Sequence, residues 1–210
     1  DSSGNLTWAK TAGGTSYDFA ESVKQTNDGG YIVVGRTLSY GAGNYDVFLL
    51  KYDSSGALTW AKTAGGTGDD RAYSVKQTSD GGYIVAGETE SYGAGGADVF
   101  LLKYDSSGAL TWAKTAGETD DDKAESVVQT GDGGYVVAGE TESYGAGYRD
   151  VLLMKTDSNG DIAGCAACGS VSPSVSTPTP TTSTPTPSTS TPTPSTSSPT
   201  PSTSTPSPST

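Results

Sequence analysis

The chain has 210 residues, with 24 acidic against 12 basic side chains and no histidine, for a formal net charge of −12. That balance argues against nucleic acid or an anionic membrane as partner, because phosphate recognition needs a basic face. The missing imidazole removes Ser-His-Asp, Cys-His and most transition-metal chemistry at once.

The acidity serves solubility and mutual repulsion. No stretch reaches the roughly 18 apolar residues of a membrane span, and neither a signal peptide nor an initiator Met is present, as expected of a processed or fragmentary product. From the first residue a unit of 52 residues runs three times, over 1–52, 53–104 and 105–156. A period of that length marks one supersecondary unit stacked on its neighbours. In the second copy Leu58–Thr63 reads as a strand, and Ala72–Thr78 alternates small or apolar with polar residues. The turn "SDGG" then leads into Tyr83–Glu90, a hairpin signature. The glycine-rich "SYGAGGA" is a loop, Asp98–Tyr104 a further strand and "DSSG" a turn, so each unit yields four short antiparallel strands.

The inner strands do not alternate. Tyr83-Ile84-Val85-Ala86 and Val99-Phe100-Leu101-Leu102 are apolar at consecutive positions, and successive strand residues point to opposite faces. Both faces of each sheet must therefore be covered, as in a face-to-face stack of small sheets. The expected fold is all-β, three four-stranded propeller-like blades; a β-trefoil, with three units of four strands, is the alternative. The pattern "LTWAKTAGG…DGGYIVAGET…SYGAG…DVFLLK" resembles the propeller-type blade repeat of bacterial and archaeal secreted and surface proteins, over about three quarters of the chain. The resemblance implies structural blades rather than a chemistry. Three blades are too few to close, since propellers have four to eight.

If a blade ends with the "LTWAKT" strand, residues 1–14 are an orphan last strand. The third unit then ends in a degraded copy, Ile162-Ala163-Gly164 replacing Leu58-Thr59-Trp60. Two unfinished ends predict self-association by strand addition, as a filament or a closed ring.

Residues 157–170 form a closing segment with Cys165 and Cys168 in "GCAACGS". A structural disulfide within or between chains is the leading expectation, ahead of a redox motif or half a zinc site. Asp157-Ser158-Asn159-Gly160-Asp161 has calcium-loop spacing at its start but lacks the later glycine and glutamate, so a turn is the better reading. Asn5-Leu6-Thr7 is an N-glycosylation sequon.

From 171 to 210 the chain is a Pro/Thr/Ser-rich tail with a period of seven, expected as extended polyproline II. Its hydroxyls are O-glycosylation candidates: Thr177, Thr179, Thr181, Thr182, Ser183, Thr184, Thr186, Ser188, Thr189, Ser190 and Thr191 in the first half. Thr193, Ser195, Thr196, Ser197, Ser198, Thr200, Ser202, Thr203, Ser204, Thr205 and Ser207 follow. Such a composition is that of a mucin-like stalk.

Acidic pairs such as Asp69-Asp70 do not point to a catalyst. Asp18, Asp70 and Asp122 recur at one place in each unit, and an active site would have to break that symmetry. Tyr40, Tyr92 and Tyr144 in the "SYGAG" loops are the ligand candidates. The expectation is a non-enzymatic extracellular or cell-surface fibre subunit without cofactor or metal; a carbohydrate-binding or adhesin module on a glycosylated stalk is the alternative.

Overall fold

A computed structural model describes residues 2, 3 and 5–163, together with the backbone of Cys168–Ser170, Ser174–Ser176 and Thr181–Ser183. The short strand β1 (Thr11–Gly13) precedes a first sheet of β2 (Asp18–Gln25), β3 (Tyr31–Thr37), β4 (Asp46–Tyr52) and β5 (Leu58–Gly65), adjacent in that order. The second sheet repeats it with β6 (Asp70–Gln77), β7 (Tyr83–Thr89), β8 (Asp98–Tyr104) and β9 (Leu110–Ala116). The third holds β10 (Asp122–Gln129), β11 (Tyr135–Thr141) and β12 (Asp150–Thr156). All pairings are antiparallel. Among the described residues the sheets remain separate, closing neither into a ring nor into a trefoil barrel.

Two expectations are corrected. The third sheet has three strands among the described residues, not four. Where Leu-Thr-Trp ends the other units, Ile162 is half-buried against the core between the second and third sheets, outside any strand. The tail is also not polyproline II throughout. Its triplets β13 (Cys168–Ser170), β14 (Ser174–Ser176) and β15 (Thr181–Ser183) pair antiparallel with β9, β5 and β1. Each triplet is free of proline, so its N–H groups can join a ladder, and the two conformations share an extended ψ. The rest of the glycosylation candidates, and Cys165, lie outside the described residues.

The consecutive apolar residues behave as their sequence requires. Every residue of β7 and β8 is buried, because the second sheet is sandwiched between the other two. One core joins Val34, Val47, Leu49 and Ala64 to Ala72, Val75, Tyr83 and Phe100. The next joins Ile84, Val99 and Leu101 to Ala124, Val127, Tyr135 and Val137. The first strand of each sheet bulges, between Ala20 and Ser22, Ala72 and Ser74, and Ala124 and Ser126. Opposite stand Gly35, Gly87 and Gly139. A Cβ at Gly87 would fall 1.8 Å from the Arg71 carbonyl oxygen, so only glycine lets the bulged strand approach.

The turns repeat as faithfully. Asp80 accepts the Gly82 N–H (2.9 Å), and its other oxygen takes the Lys103 Nζ (2.8 Å); Gly81 between them has φ +82°. These hydrogen bonds and the ammonium, acting against partial burial, hold the Asp80 carboxyl down at about 2. Asp157 Oδ1 accepts N–H groups of Asn159 (2.8 Å) and Asp161 (2.9 Å), as Asp53 does with Ser55 and Ala57. It is the turn that the sequence favours.

Candidate functional site

Each junction between sheets is built from the same three parts. The first is a tryptophan: Trp60 of β5 meets Tyr83 edge-on at 5.9 Å and 66°, and Trp112 of β9 meets Tyr135 at 5.8 Å and 65°. Each indole lies over a turn glycine of the next sheet, Gly108 or Gly160, where an added Cβ would stand about 3 Å away. The second part is the apolar core described above.

The third is a pair of buried aspartates, one from each sheet. Asp46 and Asp98 open the third strand of one sheet, and Asp70 and Asp122 open the first strand of the next. Burial, reinforced by the charge of its partner Asp70, pushes the Asp46 carboxyl up to about 7 although the Ala42 N–H pulls the other way. Asp98, beside Asp122, is pushed up to about 6.

The two ends of the stack present half of this junction each. Ahead of the first sheet, Trp8 meets Tyr31 at 5.6 Å and 68°, over Gly56, repeating the internal arrangement. Thus Leu6–Gly13, identical in sequence to Leu58–Gly65 and Leu110–Gly117, already sits where the last strand of a preceding sheet belongs. One edge of β1 carries β15, as β5 carries β14; the edge that in β5 carries β4 bears no strand among the described residues. The face of the first sheet beside it is open, a groove lined by Ala12, Phe19, Ala20, Val23, Val33 and Leu50.

At the other end β12 has no outer neighbour among the described residues. Val151 is 87% exposed and Leu153 73% exposed, where their repeat equivalents Val47, Val99, Leu49 and Leu101 are at most 2% exposed.

One feature breaks the repetition. Glu88 of β7, fully buried, accepts hydrogen bonds from Arg71 (2.6 Å) and Tyr73 (2.7 Å) and forms an ion pair with Lys123 (3.1 Å) of the third sheet. Burial alone would raise its pKa, but those three donors outweigh burial and hold it below the usual value. The repeat equivalents of Glu88 are Arg36, paired to Glu21 at 2.5 Å, and Glu140, paired to the half-exposed Arg149. This network was not foreseen from the sequence; substitutions at one repeat position, Arg36, Glu88 and Glu140, are the signal that could have found it.

The tyrosines singled out as ligand candidates are divided. The Tyr40 and Tyr92 hydroxyls donate to the carbonyls of Gly13 and Gly65, both at 2.8 Å, and their rings pack on Phe48 and Phe100. Tyr144, at the open end, is 43% exposed. The three side chains serve separate sheets and do not gather into one site. Asn5 is exposed ahead of Trp8. Among the described residues no three His, Cys, Asp or Glu side chains cluster as a metal site, and no helix is long and apolar enough to cross a membrane.

A family model for a beta-propeller domain of unknown function, DUF5122, matches residues 78–110, a segment from the β6–β7 turn into β9. The chain is also similar to the regulatory protein FlaEY of Caulobacter vibrioides, 30% identical over 145 residues, or 63% of this chain. It spans 15% of the length of that protein.

Proposed function

We propose that this chain is a non-enzymatic extracellular subunit that assembles head to tail into a filament and carries a densely O-glycosylated stalk. In the assembly, Leu6–Gly13 of one copy completes the third sheet of the next. One observation carries the reading: positions buried at both internal junctions are exposed at both ends. Val23 is 57% exposed while Val75 and Val127 are fully buried, and Val151 and Leu153 mirror this at the opposite end.

Internal pairing supplies the register. Val47 faces Ala64 and Leu49 faces Lys62, and Val99 faces Ala116 and Leu101 faces Lys114. By equivalence Val151 faces Ala12 and Leu153 faces Lys10 of the partner copy. Burying a valine or leucine contributes about 1.5–3 kcal/mol, and the added strand satisfies the backbone groups along the β12 edge. Because the two surfaces differ, the contact is heterologous and propagates unless it closes. The likeness to a propeller family favours a second reading, closure of two copies into a ring of six sheets. The stalk rests on the Pro/Thr/Ser composition of the tail.

Deleting residues 1–14 tests the assembly. The full chain is expected to sediment as large species and to show fibres by electron microscopy, and the deletion variant as a monomer. A uniform dimer of the full chain would select the ring; a monomeric full chain at micromolar concentration would refute assembly.

A further inference from the structure

We propose that the paired aspartates at each sheet junction hold a hard divalent cation of the calcium class. At the first junction Asp46 is fully buried; its Oδ2 accepts the Ala42 N–H at 2.9 Å, while its Oδ1, equally buried, has no partner. Asp70, also fully buried, places its Oδ2 against the Gly66 N–H (2.8 Å) and the Ser91 hydroxyl (2.6 Å).

The two carboxylates converge beside Gly65. A Cβ there would lie 2.2 Å from Asp46 Oδ1 and 2.6 Å from Asp70 Oδ2, so any larger residue would fill the space they share. The second junction repeats the arrangement at Gly117, with 2.1 Å to Asp98 Oδ1 and 2.8 Å to Asp122 Oδ2. There the Oδ1 atoms of both Asp98 and Asp122 are buried without a partner.

Two carboxylates side by side in a buried junction repel and are poorly solvated. Among the described residues no lysine or arginine ion pair relieves them; Lys51 and Lys103 bind Asp28 and Asp80, and Arg71 binds Asp69 and Glu88. A divalent cation neutralises both charges and gives a partner to the orphaned Oδ1 of Asp46 and of Asp98, the two unpartnered oxygens that face the shared space. The donors are all oxygen, which selects calcium or magnesium over zinc or copper. Calcium takes roughly six to eight oxygens, so the ligands beyond the two carboxylates would be water molecules carried in with the ion.

At the ends stand the matching halves. Asp150 accepts the Ala146 N–H at 2.9 Å as Asp46 accepts that of Ala42, and Asp18, beside Gly13, accepts the Gly14 N–H at 2.9 Å as Asp70 accepts that of Gly66. A third site, resting on the head-to-tail reading, therefore forms only between copies.

The full chain, stripped with a chelator, is titrated with calcium chloride by calorimetry, with melting followed in parallel and assembly state measured by sedimentation. Two sites per chain are expected in unassembled material and three in assembled material, with a higher Tm in calcium. The double variant Asp46→Asn, Asp98→Asn keeps the acceptor for the loop N–H and is expected to fold, to lose both internal sites and to melt independently of calcium. Two sites on a chain that never assembles would uphold the cation and refute the head-to-tail reading. The absence of both heat and a Tm shift with millimolar calcium or magnesium would overturn the proposal in favour of a shared proton, and calcium binding that survives in the double variant would overturn the assignment to these aspartates.

Discussion

Glu88→Ala is expected to destabilise the fold by about 3 kcal/mol. Removing one member of a buried ionic cluster leaves its partners desolvated and unpaired, typically at a cost of about 3–5 kcal/mol. The lower end applies because the Arg71 and Lys123 side chains are 25% and 19% exposed and recover some hydration. Glu140→Ala is the control. It occupies the same repeat position, but its partner Arg149 is 53% exposed, so its loss should cost less than about 1 kcal/mol.

The pH dependence has a definite sign. The folded-state pKa of Glu88 lies below its unfolded value near 4.5. Its contribution is therefore complete above that value and disappears as pH falls through the depressed folded-state pKa. The gap between wild type and Glu88→Ala, measured by urea denaturation, should be constant from pH 6 to 8 and shrink below about pH 4. A gap that widens in acid would show that the carboxyl acts in its protonated form.

Gly87→Ala is expected to cost about 3 kcal/mol or more, although it adds a single methyl group. The new Cβ would meet the Arg71 carbonyl oxygen at 1.8 Å and the Ala72 Cα at 2.8 Å. Both are backbone atoms of the bulged strand and cannot rotate away, so the β6–β7 pairing must open or the bulge must move. Gly131→Ala is the control: no atom lies within 4 Å of an added Cβ, and the change should stay within about 0.5 kcal/mol. Comparable urea midpoints for the two variants would show that the bulge yields without loss.

The strands were legible because each unit carries its own punctuation. "DGG" and "DSSG" mark tight turns, and Val99 to Leu102, apolar without alternation, could only be a strand covered on both faces. The orphan N-terminal strand and the missing fourth tryptophan were equally readable, since a copy can be compared with its siblings. What escaped is what the period does not encode. Asp18, Asp70 and Asp122 were visible as a recurring position, but their facing partners Asp46 and Asp98 lie 24 residues away in the neighbouring sheet, and nothing local connects them. The Glu88 cluster depends on Lys123 of the next sheet. The β-pairing of Ser174–Ser176 and Thr181–Ser183 was hidden by proline-rich flanks that dominate the local composition.

The tail visits the second sheet, then the first, then β1, against the order of the chain. Its last described strand thus lies beside the opening one, on the edge of β1 opposite the edge that β12 of another copy would take. In a column of copies this pairing would recur once every three sheets. The docking edge of β1 would then stay clear for the next copy.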